Sequence, residues 1–103
     1  MAEPLFDVSG HVVLVAGGAR GLGRGLASGL AARGARIVLA DRLADEAFEA
    51  VGALPGAGHL ACALDVTDPE SVDAAIADAR RHGGRIDAVL NSAGIARFAP
   101  ALD

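Results

Sequence analysis

The sequence contains no lysine, tyrosine or tryptophan, and its nine basic residues other than histidine are all arginine. Thirteen acidic residues outnumber them and give a formal net charge of −4. Nucleic acids and anionic membrane surfaces bind basic proteins, so we expect neither as a partner. Because there is no lysine, a phosphate-binding loop of the G-x-x-x-x-G-K-[ST] type is excluded.

Cysteine and long apolar runs are equally scarce. Cys62 is the single cysteine, so no internal disulfide can form, and we expect it to be a small buried apolar residue in a reducing compartment. The apolar run 12–16 is too short to span a bilayer, and no signal peptide is expected at the N-terminus. His11, His59 and His82 lack the spacing of metal ligands. We therefore predict a cytoplasmic protein without a metal site.

Short runs of β-branched residues alternate with longer stretches rich in alanine and leucine. With 14 glycines and 52% hydrophobic residues, the composition is that of a globular domain. Continuous apolar runs that alternate with helices indicate a parallel sheet covered on both faces. Right-handed crossovers then give a doubly wound α/β sheet with the predicted strand order 3-2-1-4. We expect residues 1–103 to form one domain.

The predicted order of elements is β-α-β-α-β-α-β. Strands are predicted at 11–16, 36–40, 59–64 and 85–90, and helices at 22–33, 44–54 and from 69 to the glycines at 83–84. In the first helix Leu22, Leu26 and Leu30 recur at helical spacing, with Ala27 and Ala31 beside them, and predict an apolar face.

The third helix has a clear start in the sequence. Asp68 before Pro69 predicts an N-cap followed by proline at the first helical position, and Thr67 with Glu70 fits a capping box one residue earlier. We expect this helix to bury its apolar residues. Those residues are Val72, Ile76 and Ala79.

A glycine cluster follows the first strand, where the predicted strand order reverses and ligands of such sheets bind. Gly17, Gly21 and Gly23 would let the backbone turn sharply and approach a pyrophosphate, while the next helix offers free N–H groups. A simple tight connection is the alternative.

Asp41, at the end of the second strand, can accept hydrogen bonds from an adenosine ribose and would repel the extra phosphate of NADP. Arg20 and Arg42 argue the other way, because a guanidinium can hold that phosphate. Asp41 is better placed, so NAD is predicted over NADP.

Three segments resemble motifs of the short-chain dehydrogenase/reductase family. Residues 16–23 are similar to T-G-x-x-x-G-x-G, with Ala16 in place of Thr. Residues 65–68 (D-V-T-D) are similar to the segment after the third strand, and residues 91–94 to N-N-A-G, with Ser92 in place of the second Asn. The resemblance runs from about Phe6 to the last residue. It implies a Rossmann-type domain truncated after the fourth strand.

The resemblance also implies which residues bind the cofactor. They are Gly17, Arg20, Gly21, Leu22, Gly23, Asp41, Asp65, Val66, Asn91, Ala93, Gly94 and Ile95. The glycine loop would surround the phosphates, Asp65 and Val66 would flank the adenine, and Ile95 would lie near the nicotinamide. Ala16 lacks a hydroxyl that in the family braces the loop against the fourth strand, so we expect slightly looser packing there.

Members of the family move a hydride between a nicotinamide cofactor and a secondary alcohol or ketone. They use a Ser and a Tyr-x-x-x-Lys pair that normally lies beyond the last residue of this sequence. With no tyrosine and no lysine, we expect no catalytic residue here and no activity from this stretch alone. The apolar run 86–90 would be a bare sheet edge, which favours a fragment of a longer enzyme.

The resemblance implies a small-molecule substrate and a homo-oligomer for the full-length enzyme. Sugar alcohols, 3-oxoacyl thioesters and other secondary alcohols all remain open as substrates. Two alternatives also remain: a non-catalytic NAD-binding module, and a methyltransferase. The loop spacing and residues 91–94 argue against the methyltransferase.

Overall fold

A computed structural model describes residues 8–92 of the chain. The elements are β1 (Val12–Ala16), α1 (Gly21–Ala32), β2 (Arg36–Asp41), α2 (Ala44–Gly52), β3 (Leu60–Ala63), α3 (Pro69–Gly83) and β4 (Ala88–Asn91). The predicted alternation is confirmed. The largest shift of a boundary is at β4, which begins at Ala88 because the preceding residues connect it to α3.

The four strands are parallel and lie in the order β3-β2-β1-β4, as predicted. β1 is central, with Ala16 paired to Ala40 of β2 on one side and to Asn91 of β4 on the other. All five residues of β1 are buried, because helices cover both faces of the sheet. The carboxyl ends of β1, β2 and β4 therefore meet at one edge, where the glycine loop begins.

Successive strand residues point to opposite faces and form two apolar clusters. Val15 and Leu39 pack on one face among the alanines of α1 and α2. Leu14 and Val38 pack on the other face against α3. Alanine on the helices lets the helical backbones lie close to the strands.

The apolar face predicted for α1 is only partly the buried one, because Ala27 and Ala31 are buried and Leu30 packs against the core, but the other two leucines are exposed. Leu22 is 73% exposed and Leu26 is 40% exposed. The residues packed against the sheet are Gly23, Ala27 and Ala31. Small side chains at this spacing let α1 approach β1 and β2 closely, and leucine at the same positions would hold it away.

The start of α3 follows the predicted N-cap. Asp68 Oδ1 accepts a hydrogen bond from the Glu70 backbone N–H at 3.1 Å, and Pro69 is the first helical residue. Thr67 donates its hydroxyl to Asp65 instead, so the alternative capping box does not form. Ala79 is buried as predicted, whereas Val72 and Ile76 are only half-buried.

Within residues 8–92 no helix combines the length and the apolar character needed to cross a membrane.

Candidate nucleotide-binding site

The loop between β1 and α1 lies at the carboxyl edge of the sheet and is anchored to β2. Gly17 has a φ of +75°, a left-handed conformation that favours glycine. Its N–H donates to the Ala40 carbonyl at 2.7 Å, and the Gly18 N–H donates to the same oxygen at 3.3 Å. The loop therefore folds back over the end of β2 before α1 begins.

Gly23 allows the first turn of α1 to lie directly against this loop. A Cβ at position 23 would be 2.2 Å from the Ser92 Oγ and 2.4 Å from the Gly17 carbonyl oxygen. Both distances are well inside van der Waals contact, and one partner is backbone that cannot move aside easily. Any other residue here would displace the helix from the loop.

The residue at the N-cap position of α1 supplies no side-chain cap. Arg20 occupies the N-cap position and its side chain makes no capping hydrogen bond, and the first turn contains no acidic residue. The first N–H groups of a helix have no intrahelical acceptor, and they carry the positive end of the helix dipole. An anion lying against this end would satisfy those groups.

The carboxylate of Asp41 is held at the rim of the loop by two backbone N–H groups. Oδ2 accepts from the Ala19 N–H at 3.1 Å, and Oδ1 accepts from the Leu43 N–H at 3.0 Å. A carboxylate can accept about four hydrogen bonds, so both oxygens retain capacity for a further donor such as a ribose hydroxyl. Asp41 is thus fixed in place and still able to bind a ligand.

Asp65 is fixed in a similar way at the carboxyl end of β3. Its Oδ1 accepts from the Thr67 hydroxyl at 2.6 Å and from the Thr67 N–H at 3.0 Å. These hydrogen bonds, and to a smaller extent the charge of Arg42, lower the pKa of the Asp65 carboxyl. The Asp65 N–H donates to the Ser71 Oγ at 2.8 Å, which ties the segment to α3. Asp65 is therefore an ordered, ionised group at neutral pH.

These loops enclose a cavity of about 380 Å³, within the usual range of small-ligand sites. It is lined by Gly17, Asp41, Arg42, Leu64, Asp65, Val66 and Thr67. The structure thus brings together four of the residues predicted from the sequence. Leu64 and Thr67 were not predicted, although their adjacency to Asp65 was a signal. Arg42 also lines the cavity, where the sequence allowed its guanidinium to hold a 2′-phosphate.

The remaining predicted residues are placed differently. Arg20 does not extend alone into the loop; its Nε lies 2.8 Å from the Glu46 Oε1 on α2. Asn91 ends β4 beside Ala16. Leu22 and Gly21 are exposed at the start of α1. Ala93, Gly94 and Ile95 lie outside the described residues.

Sequence reasoning missed the role of Ser92. Its Oγ donates to the carbonyls of Ala16 and Gly17, at 3.1 Å and 2.9 Å, and its N–H donates to the Ala16 carbonyl at 2.9 Å. The hydroxyl that Ala16 lacks is thus supplied from the end of β4, which offsets the looser packing we expected. The sequence signal for this contact was that Ala16 and Ser92 both depart from the motifs of the family that they otherwise resemble.

Asp87 performs a second bracing role below the site. Its Oδ2 accepts from the Val12 N–H at 2.7 Å, and Arg85 donates to its Oδ1. The hydrogen bond from Arg85 is the main cause that lowers the pKa of Asp87. This contact joins the segment before β4 to the start of β1, and so aligns the two strands whose ends carry Ala16 and Ser92.

Two further features concern the thiol of Cys62 and potential metal ligands. Cys62 is half-buried, and burial with the nearby charge of Asp78 raises the pKa of its thiol to about 11. The thiol is therefore neutral at physiological pH. Within the part of the chain that is described, no three His, Cys, Asp or Glu side chains are grouped to hold a metal ion.

The order of the strands and the position of the glycine loop define an α/β protein of the Rossmann type. The family model for short chain dehydrogenases matches residues 11–103, and the chain belongs to this family.

Individual relatives agree with this assignment. The chain is 46% identical over 99 residues to D-threitol dehydrogenase of Mycolicibacterium smegmatis, covering 93% of this chain and 38% of that protein. A crystal structure of hydroxysteroid dehydrogenase from Escherichia coli matches with a TM-score of 0.82 and 28% identity, over 86% of this chain and 39% of the other. A 3-ketoacyl-(acyl-carrier-protein) reductase from Brucella melitensis, complexed with NADH, matches with a TM-score of 0.76 and 34% identity, over 80% and 33%.

The chain spans about two fifths of the length of the curated relatives it matches.

Proposed function

We propose that this chain binds NAD(H) and forms the nucleotide-binding part of an oxidoreductase that transfers a hydride between the nicotinamide and a secondary alcohol or ketone. The observation that carries the proposal is the cavity beside Gly17 in which the carboxylates of Asp41 and Asp65 are held by backbone and hydroxyl donors. Membership of the family supports a nicotinamide cofactor.

The residues present fit such a cofactor. The close contact at Gly23 leaves a loop of bare backbone against the uncapped start of α1, which suits a pyrophosphate. Asp41 would accept hydrogen bonds from the adenosine ribose, and Asp65 with Val66 would flank the adenine. Asn91 would line the crevice at the end of β4. When bound, the nicotinamide supplies the hydride chemistry.

We propose NAD rather than NADP as the preferred cofactor. The ribose-side carboxylate of Asp41 would lie close to a 2′-phosphate, and two negative groups at that distance repel each other. Asp65 lines the same cavity and adds to the repulsion.

The substrate and the catalytic residues belong to the same proposal. The similarity to a protein named D-threitol dehydrogenase supports a polyol, and the similarity to a 3-ketoacyl reductase keeps 3-oxoacyl thioesters open. The 103 residues contain neither tyrosine nor lysine, so we propose that they bind cofactor without catalysing hydride transfer by themselves.

The absence of tyrosine and lysine from these 103 residues also favours a second candidate function, a non-catalytic NAD-binding module. The two are separated by the intact mass of the protein in its source cell and by a search of any further sequence for Tyr-x-x-x-Lys. A mass equal to that of this chain, 10.2 kDa, together with NAD binding, would favour the module.

The binding proposal is tested by calorimetric titration of the intact protein with NAD, NADP and S-adenosylmethionine. We expect saturable binding of NAD and none of S-adenosylmethionine. Asp41→Asn should weaken NAD binding by roughly tenfold or more, because charge-assisted hydrogen bonds contribute about 1.5–3 kcal/mol. Asp73→Asn, an exposed carboxylate on α3, is the matched control. Equal effects of the two variants would refute the role of Asp41.

A cytoplasmic location and a homo-oligomeric full-length enzyme complete the proposal. Light scattering after size-exclusion chromatography measures the oligomeric state of the full-length enzyme directly, and a monomeric mass would contradict the proposed homo-oligomer.

A further inference from the structure

We infer that Glu46 is a specificity-determining residue for the cofactor, because its ion pair with Arg20 holds that guanidinium away from the 2′-phosphate of NADP. The inference rests on the proposed function, since it concerns the choice between two nucleotides at the same cavity. It also accounts for an arginine in the glycine loop of a protein proposed to prefer NAD.

The position of Arg20 makes it relevant to that choice. It directly follows Ala19, whose N–H is bound by Asp41 Oδ2 at 3.1 Å. Its backbone is extended, with φ −143° and ψ 166°, and it immediately precedes the first turn of α1. The backbone of Arg20 therefore lies between the residue bound by the ribose-side carboxylate and the helix start that would receive the phosphates.

The chemistry of Arg20 alone would favour NADP. A guanidinium binds phosphate strongly through two parallel N–H donors, and it is always charged. In the structure, however, the Arg20 Nε lies 2.8 Å from the Glu46 Oε1. Both the charge and one donor of the guanidinium are thereby directed to α2.

The place of Glu46 is set by the fold of α2. Glu46 lies in the first turn of this helix, where a carboxylate is favoured by the helix dipole. The helix begins directly after the segment that Asp41 fixes through the Leu43 N–H. The carboxylate that neutralises Arg20 is therefore positioned by the same short segment that carries the ribose-binding carboxylate.

The charges around this edge add to a negative total. The groups are Asp41, Asp45, Glu46 and Asp65 with Arg20 and Arg42. Removing the carboxylate of Glu46 would leave Arg20 as an unpaired cation near the ribose. The side chains of Arg20 and Glu46 are 68% and 46% exposed, so solvent screens the pair and its effect is modest. We expect Asp41 to be the larger determinant of selectivity and Glu46 the smaller.

The test compares Glu46→Gln with Glu49→Gln in the intact protein. Both lie on α2 and lose the same charge, but Glu49 is an exposed residue one turn further on. Dissociation constants for NADP and NAD are measured at low ionic strength. We expect Glu46→Gln to tighten NADP binding by roughly two- to fivefold and to change NAD binding less. Glu49→Gln should not shift the selectivity between the two nucleotides.

Arg20→Gln supplies the second arm of the test. In that background the gain of Glu46→Gln for NADP should disappear, since the guanidinium that contacts the phosphate is gone. An equal gain in Glu46→Gln and Glu49→Gln, or a gain that persists without Arg20, would overturn the inference and leave only a general charge effect. If the unmodified protein binds neither nucleotide, the proposed function fails instead, which is a different result.

Discussion

The N-termini of α1 and α3 both follow a strand at the same edge of the sheet, yet they are built in opposite ways. α3 begins with Asp68 accepting from the Glu70 N–H, Pro69 at its first position and an acidic residue in its first turn. α1 begins with Arg20, no side-chain cap and no acidic residue in its first turn. The Glu70 N–H at the start of α3 has a side-chain acceptor in Asp68, whereas Arg20 supplies no such acceptor at the start of α1.

Under the proposed function, this difference separates a structural helix start from one that binds the cofactor. A side-chain cap contributes about 1 kcal/mol to folding stability, and the start of α1 lacks this contribution. In compensation, the loop before α1 is held from both sides. Asp41 binds it from β2 through the Ala19 N–H, and Ser92 binds it from β4 through the Gly17 carbonyl.

The largest effect is expected from Gly23→Ala, which breaks the contact between α1 and its loop. The added Cβ would lie 2.2 Å from the Ser92 Oγ and 2.4 Å from a carbonyl oxygen. We expect a loss of about 3 kcal/mol in the free energy of unfolding and loss of NAD binding. Because the chain has no tryptophan or tyrosine, urea unfolding is followed by far-UV circular dichroism.

Gly25→Ala is the matched control on the same helix. Nothing lies within 4 Å of a Cβ at this position. Alanine should stabilise the helix by about 0.5–1 kcal/mol and leave NAD binding unchanged. Similar destabilisation by both variants would show that the contact at Gly23 does not position the helix.

Ser92→Ala is expected to have the next largest effect, because it removes the brace from the β4 side. Two carbonyls lose a hydroxyl donor, and we expect a loss of about 1–2 kcal/mol together with a several-fold weaker NAD affinity. Ser28→Ala, exposed on α1, should change stability by less than about 0.5 kcal/mol. If Ser92→Ala leaves both unfolding and NAD binding unaltered, the brace has no role.

Asp68→Ala tests the other side of the comparison. Removal of the α3 cap should cost about 1 kcal/mol in unfolding free energy, because the Glu70 N–H loses its acceptor. NAD affinity, measured by calorimetry, should not change. A loss of affinity as large as that of Gly23→Ala would mean that the two helix starts are not functionally distinct.

The smallest effect is expected from Thr67→Val, which removes the hydroxyl that donates to Asp65 Oδ1. The lowered pKa of Asp65 should rise towards its ordinary value, as measured by NMR titration of the carboxyl group. In the unmodified protein this carboxylate contributes stability above its ordinary pKa, and the contribution is lost as the pH falls through the lowered value. An unchanged pKa in the variant would contradict the assigned cause.

Local pattern was enough to predict the order of the elements and the position of Asp41, because strand topology brings the carboxyl ends together. It was only partly enough for the buried face of α1, where Ala27 and Ala31 were predicted but Gly23 was not. Leu22 and Gly23 belong to stripes with the same helical spacing, and only the closeness of helix to sheet selects the small residues. The contact of Ser92 with Gly17 joins residues 75 positions apart, so no local pattern reveals it.

The most direct test of the account is a titration of the isotopically labelled protein with NAD, followed through its backbone amide resonances. The account predicts saturable shifts at Gly17, Gly21, Gly23 and the segment after Asp41, with the amide of Glu70 at the start of α3 unaffected. Absence of saturable shifts in the glycine loop, or equal shifts at both helix starts, would contradict it.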